Sequence, residues 1–384
     1  MKCNNIREYI RKYIDGFDVF ELELENEEMY IELLNFLRDK EMPELVCLRG
    51  DLHYFGLGTE TNFLKAYKCY EVSANKGYDR GQSNLGWMYE YGEGCEKDEK
   101  KAFIWHEKAA NQGFSNSQCS LGTFYRRGIG CERNLEKAFE WFEKAANKGH
   151  IKAQYNLGLL YEDGMGCTAD SRKAFGWYKK SAERGYAKAQ CNLGRLYELG
   201  EGCEKSDQKA FEWYEKAAKQ DSVVAKFNLG LLYQEGKGCE KDIEKAFELL
   251  EESAEEGYAR AQCNLGIMYY NGYDCEKDLI KAFEMMEKAA NQRDSEAQCN
   301  LGVMYEYGEG CEKDLNKAFE WYEKAANQGN PRAQYNLGIL YSEGSGCKKD
   351  LHKALEIVKI AFENGYLKAE EFIDELIKQI EEID

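Results

Sequence analysis

Residues 84–113 read NLGWMYEYGEGCEKDEKKAFIWHEKAANQG. Their Leu85-Gly86 pair returns at Leu121, Leu157, Leu193, Leu229, Leu265, Leu301 and Leu337, always 36 residues apart, and Arg49-Gly50 is a degenerate copy one period earlier. A fixed period of this kind marks a repeat array and has to be read before any single element. Nine consecutive units result: 43–78, 79–114, 115–150, 151–186, 187–222, 223–258, 259–294, 295–330 and 331–366.

Each unit reads as two helices. Asn62, Asp98, Asn134, Asp170, Ser206, Asp242, Asp278, Asp314 and Asp350 stand where the second helix begins. All nine carry an oxygen that accepts from the free N–H groups of a helix start. Glycine follows the second helix at Gly77, Gly113, Gly149, Gly185, Gly257, Gly329 and Gly365, whereas Asp221 and Arg293 stand there in two units, where a different turn is expected. Gly86 and its counterparts sit inside the first helix, at a cost of about 1 kcal/mol each against Ala. Such a cost recurs only where backbones approach closely. The expected partner is the recurrent alanine of the second helix, Ala102 in this unit, small against small.

The expectation is an all-α, right-handed α-solenoid of nine helix-turn-helix repeats with helical caps. Residues 1–42 form the amino-terminal cap, readable as a worn repeat with Asn26 in the capping register, and residues 367–384 form the carboxy-terminal capping helix. The 384-residue chain carries 52 basic and 70 acidic side chains, a formal charge of −18. Such a balance opposes nucleic acid and acidic membrane surfaces. No run of apolar residues is long enough for a membrane span, and MKCNNIREYIRKYIDGF lacks the apolar core of a secretory signal. A cytoplasmic location, with a nuclear one as the other option, is expected, and there thiols stay reduced.

The motifs Asn-Leu-Gly-x-x-Tyr, Gly-x-Gly-x-x-x-Asp and Lys-Ala-Phe-x-Trp-Tyr-x-Lys-Ala-Ala together resemble the Sel-one-like repeats, relatives of the tetratricopeptide repeats with a longer loop between the helices. The resemblance covers residues 43–366. It implies a non-enzymatic scaffold or adaptor that binds protein. Two alternatives stay open: a small-ligand or peptidoglycan-fragment binder with weak hydrolase activity, and an inert structural spacer. Some relatives carry one disulfide per repeat; the positions it would use are Ala110 and Gln118 here, so the resemblance implies no such bridge.

Eight of the 15 cysteines, Cys95 among them, share one loop position, and Cys119, Cys191, Cys263 and Cys299 precede Leu-Gly by two residues. There is no C-x-x-C, and the four histidines are scattered, so no metal or cofactor is expected. The cysteines read as small buried hydrophobes. No nucleophile–base–acid constellation appears, and the Gly-x-Gly of YGEGCEKD follows a helix without a Lys-Ser/Thr pair, so it is a turn rather than a phosphate loop.

At 100° per residue, with Leu85 facing the core, Asn84 and Trp87 fall on the far side of the first helix. One row is Asn84, Asn156, Asn192, Asn228, Asn264, Asn300 and Asn336; beside it run Trp87, Thr123, Leu159, Arg195, Leu231, Ile267, Val303 and Ile339. An amide ladder next to a varied, mostly apolar stripe suits a peptide on a concave face. The same asparagines could equally stitch neighbouring repeats together. The chain is expected to be a monomer that binds a protein or peptide.

Overall fold

The computed structural model describes every residue except Met1, Asn4, Asp18, Phe20, Asp274, Ile383 and Asp384. These residues of the two expected caps and of one repeat loop therefore lie outside the described part. The chain divides into two compact units, Met1–Leu196 with Gly200–Glu204, and Tyr197–Leu199 with Lys205–Asp384.

In the first unit four helix pairs follow one another. They are α3 (Pro43–Phe55) with α4 (Phe63–Asn75), α5 (Asp79–Tyr91) with α6 (Glu99–Asn111), α7 (Ser115–Arg127) with α8 (Leu135–Asn147), and α9 (Ile151–Asp163) with α10 (Ser171–Glu183). Helix α11 (Ala187–Leu199) contains the division between the units. The second unit continues through α12 (Asp207–Ala218), α13 (Val223–Glu235), α14 (Ile243–Glu255), α15 (Ala259–Asn271), α16 (Leu279–Asn291), α17 (Ser295–Tyr307), α18 (Leu315–Asn327), α19 (Pro331–Glu343), α20 (Leu351–Glu363) and α21 (Ala369–Glu381). From α3 to α10, and again from α12 to α21, each helix packs on the next in sequence. The chain is an all-α solenoid of helix pairs.

Ahead of the first pair lie β1 (Lys2–Cys3), α1 (Ile6–Ile14), β2 (Glu23–Leu24) and α2 (Glu27–Leu37). The two short strands pair in parallel, Lys2 with Glu23 and Cys3 with Leu24. Tyr9, Tyr13, Leu33 and Leu37 are buried here in one apolar cluster with Leu45, Leu48 and Leu52 of α3. Asn26 caps α2, its side chain accepting from the Met29 N–H at 3.0 Å.

The helix ends follow the sequence pattern. All nine second helices have a side-chain cap at the expected residue, as in the Lys101 N–H to Asp98 bond of 3.0 Å. Each is worth about 1 kcal/mol. The first helices end on glycines in the left-handed region, with φ between 66° and 77°. Asp221 (φ 57°) and Arg293 (φ 67°) adopt the left-handed turn as well, so the different turn expected there is not taken, and two non-glycine residues carry its strain.

The packing inside a pair differs from the expectation for Gly86. A Cβ at Gly122 would lie 2.7 Å from the ring of Phe142, one at Gly158 2.7 Å from Tyr178, and one at Gly302 2.6 Å from Tyr322. In these repeats the glycine faces the large residue one turn beyond the alanine, whereas Gly230, Gly266 and Gly338 also come within 3.2–3.4 Å of the carbonyls of Ala246, Ala282 and Ala354, the close approach to the alanine that was expected. Large meets small, and the alanines from Ala66 to Ala354 are fully buried alongside. A second glycine, Gly130 in its loop, lies so close to the Glu99 carbonyl of the preceding repeat that no Cβ fits.

Polar bonds then tie repeat to repeat. Gln118 donates to the Ala110 carbonyl at 3.2 Å, and Gln82, Gln154, Gln190, Gln262, Gln298 and Gln334 make the same bond one period apart. A hydrogen bond thus occupies the pair of positions where some relatives hold a disulfide. Several of these glutamines also accept from the end of the following helix, as Gln82 does from Gln112 at 2.8 Å. In the repeat 223–258 the pair is replaced by Lys226 and Glu256, 2.9 Å apart.

Candidate binding face

The first helices carry the nominated rows half-buried, with Trp87 the most open at 45% exposure. Their positions follow from packing. Leu85, Leu157 and their equivalents turn into the core, at about 1.5–3 kcal/mol each, which leaves the residues one before and two after at its edge. Leu159, Leu231, Ile267 and Val303 pack against the buried clusters of their units.

The asparagines hold neighbouring elements. Asn84 donates to Asp51 at 2.9 Å, and Asp51 also accepts from Tyr13 at 2.6 Å and Tyr70 at 2.7 Å. Asn192 contacts the Tyr178 hydroxyl, and Asn336 that of Tyr322. Arg332 donates to Asn300 and pairs with Glu296 at 3.1 Å. Arg195 pairs with Glu162 and, at 3.2 Å, with Glu201. Stitching is therefore part of what the ladder does.

Burial and the Asp51 charge hold the Tyr13 and Tyr70 hydroxyls far above the ordinary phenol range, so both stay donors at neutral pH. Asp51 stands one period before Trp87, so the register of the stripe already pointed to it; Arg80 had no such signal. Its guanidinium donates to the Gly16 and Phe17 carbonyls and lies 4.6 Å from the Tyr13 ring.

Two groups of nominated residues meet in hollows. Asn84 and Trp87 join Tyr54, Phe55, Phe114 and Asn116 around a pocket of about 330 Å3 in the first unit. A cleft of about 830 Å3 shares Asn84, Trp87 and Asn116 with it and extends to Lys148, Lys152 and Arg184. In the second unit Ile267, Asn300 and Val303 line a pocket of about 260 Å3 with Tyr270, Met286 and Arg332. A depression of about 860 Å3 between the start of α6 (97–100) and the loop 128–132 carries charged side chains, glycines and Cys131 but no large apolar residue. The basic residues of the cleft escaped the sequence reading because they sit at turn positions that vary from repeat to repeat.

The cysteines offer little chemistry. Burial pushes the Cys119 and Cys263 thiols up to about 12 and Cys299 to about 11, so they are protonated and poorly nucleophilic at neutral pH. The loop thiols have a bonding role as well as a packing one. Cys95 donates to the Met88 carbonyl at 3.4 Å, and Cys167, Cys203, Cys239, Cys311 and Cys347 repeat the bond at 3.5–3.6 Å. They serve carbonyls at the end of the first helix. Among the described residues no three His, Cys, Asp or Glu side chains are placed to hold a metal ion, and no helix is long and apolar enough to cross a membrane.

The Sel1 repeat matches this chain at 47–78, 79–114, 115–150, 151–186, 187–222, 223–258, 259–294, 295–330 and 331–366. The chain belongs to the Sel1 repeat family. Among solved structures it is similar to the protective antigen c5321 of uropathogenic Escherichia coli, which displays an SLR fold, at 34% identity and a TM-score of 0.80 over 91% of this chain and 76% of that one. It is also similar to a Sel1 repeat protein from Oxalobacter formigenes, at 31% identity and a TM-score of 0.59 over 80% of this chain and 89% of that one. A search of curated proteins found no match. Sel1 repeats generally mediate protein–protein interaction and are of the scaffold type.

Proposed function

We propose that this Sel1 repeat chain is a non-enzymatic adaptor that holds a peptide segment of a partner protein on the first-helix face. The observation that carries the reading is the pocket where Trp87, exposed beside the half-buried amide of Asn84 and the exposed one of Asn116, opens among Tyr54, Phe55 and Phe114. An aromatic-lined hollow with a few convergent polar groups, here Asn84, Asn116, Asp51 and Arg80, takes one anchoring side chain and the backbone beside it. The Ile267, Asn300 and Val303 pocket repeats the combination in the second unit. The reading places the chain in the cytoplasm as a monomer, where 15 thiols remain reduced.

The test is affinity capture with the wild type, Trp87→Ala and Val303→Ser, each checked for helicity by circular dichroism. A genuine partner is recovered by the wild type and lost or reduced with at least one variant. Equal recovery by both folded variants would count against this face as the binding surface.

A further inference from the structure

The charge of the chain is unevenly distributed among its repeats. Residues 115–186 hold 12 basic and 8 acidic side chains, net +4, in a chain of net −18. The 830 Å3 cleft opens on this basic stretch. Lys148 donates to the Gly113 carbonyl at 2.5 Å and Arg184 to the Gly149 carbonyl, which fixes both cations at successive inter-repeat turns. Lys152 is exposed on the first turn of α9. None of these three is paired with a carboxylate among the described residues. His150, half-buried in the cleft, is lowered to about 4, first by desolvation and then by Lys152 and Arg184. One carboxylate, Glu21, is among the lining groups.

What sets these three cations apart is their place: they line one cleft in which Glu21 is the single carboxylate. They lie in the same hollow as Trp87, and the aromatic-lined pocket beside it, which also holds Asp51 and Arg80, shares Asn84 and Asn116. From this juxtaposition we infer that the occupant is an acidic peptide segment of a partner protein, with an apolar side chain in the Trp87 pocket and Asp or Glu residues along Lys148, Lys152 and Arg184. The inference rests on the peptide-binding reading of this face and adds the chemistry of the ligand. Charge complementarity selects the segment and sets its orientation, while the apolar pocket supplies the anchor. A single-stranded nucleic acid is disfavoured as occupant because the remainder of the chain carries −22.

The test is a selection of random 12-residue peptides displayed on phage against the full chain, followed by fluorescence anisotropy on labelled synthetic copies of the winners. Winners are expected to be enriched in Asp and Glu with one large apolar residue. Their affinity should fall up to about tenfold in Lys148→Gln/Lys152→Gln, the worth of two exposed ion pairs, and also on raising the salt from 0.05 to 0.5 M. It should be unchanged in Lys324→Gln, which alters a cation stacked on Trp321 elsewhere. Winners that are neutral or basic, yet lose binding in Trp87→Ala, overturn the acidic-ligand inference and leave the peptide face standing. Failure to select any peptide sensitive to Trp87→Ala overturns both. Binding of a 15-nucleotide oligothymidylate as tight as that of the acidic peptides, with the same loss in the lysine variant, overturns the choice of a peptide.

Discussion

Gly122→Ala sets two effects of known size against each other. Inside α7 the substitution gains about 1 kcal/mol of helix propensity. The new Cβ, however, would stand 2.7 Å from the Phe142 ring. Carbon atoms in good contact are about 3.5–4.0 Å apart, so the overlap approaches 1 Å. Phe142 is fully buried and cannot swing into solvent. Overpacking of a filled core costs about 1–3 kcal/mol, which leaves a net loss of up to about 2 kcal/mol. Gly176 is the internal control: it also lies inside a helix, α10, but nothing stands within 4 Å of its Cβ position. Gly176→Ala should therefore stabilise by up to about 1 kcal/mol. Gly266→Ala should fall between the two, because its nearest neighbour, 3.0 Å away, is the flexible end of Met286. Urea unfolding followed at 222 nm ranks the three, and amide exchange over 115–147 locates the loss, since repeat arrays need not unfold in one step. Stabilisation by Gly122→Ala equal to that by Gly176→Ala would refute the large-on-small packing and restore the alanine as the facing residue.

Further outcomes follow from the polar ladder, the strained turns and the thiols. Lys226, at 10% side-chain exposure, meets Glu256 at 2.9 Å, Glu252 at 3.1 Å and Asp221 at 3.4 Å. Lys226→Gln alone should destabilise by about 1 kcal/mol, and Lys226→Gln/Glu256→Gln should recover most of it by recreating the Gln–Gln pair; additive losses in the double-mutant cycle would contradict the pairing. Its partners raise the Lys226 ammonium above its ordinary range, so this contribution is full below about pH 10.5 and is lost as pH rises through the higher folded value. The melting-temperature gap between wild type and Lys226→Gln should thus stay level from pH 7 to 10 and narrow above. Arg293→Gly, which relieves a φ of 67°, should stabilise by about 0.5–1 kcal/mol in urea; a loss would show that the arginine side chain matters more than its backbone. In native protein at pH 8 a thiol reagent should modify Cys131 well before Cys119 and Cys299, whose raised values suppress the thiolate, as peptide mass mapping would reveal.

The helix starts, the glycine stops and the 36-residue register could be read from the sequence because each depends on one residue meeting its own backbone. What escaped depends on pairs. The residue facing Gly86 is His106, and its equivalents include Phe142, Tyr178, Leu250, Met286 and Val358, so no motif marks the position. Repetition shows where a contact must be made but not with which atom, and the conspicuous alanine drew attention from its bulkier neighbour. The glutamines of the ladder did recur, at Gln82, Gln118 and onward, yet their role needed the approach of the preceding helix end to become visible. In the candidate site Asn84 and Trp87 were placed by helical phase alone. Arg80, Lys148 and Arg184 were not, because Arg80 takes its partners from residues 16–17 and the other two meet in one cleft only when successive turns stack.

Partners, as proposed, are held on the first-helix face. A photoreactive amino acid placed at Trp87, at Val303 and, on a second helix, at Glu140 tests it directly by cross-linking in cells and sequencing of the captured peptides. The account predicts abundant adducts to a defined partner segment from positions 87 and 303 and few from 140. Adducts concentrated at 140, with positions 87 and 303 silent, would contradict it.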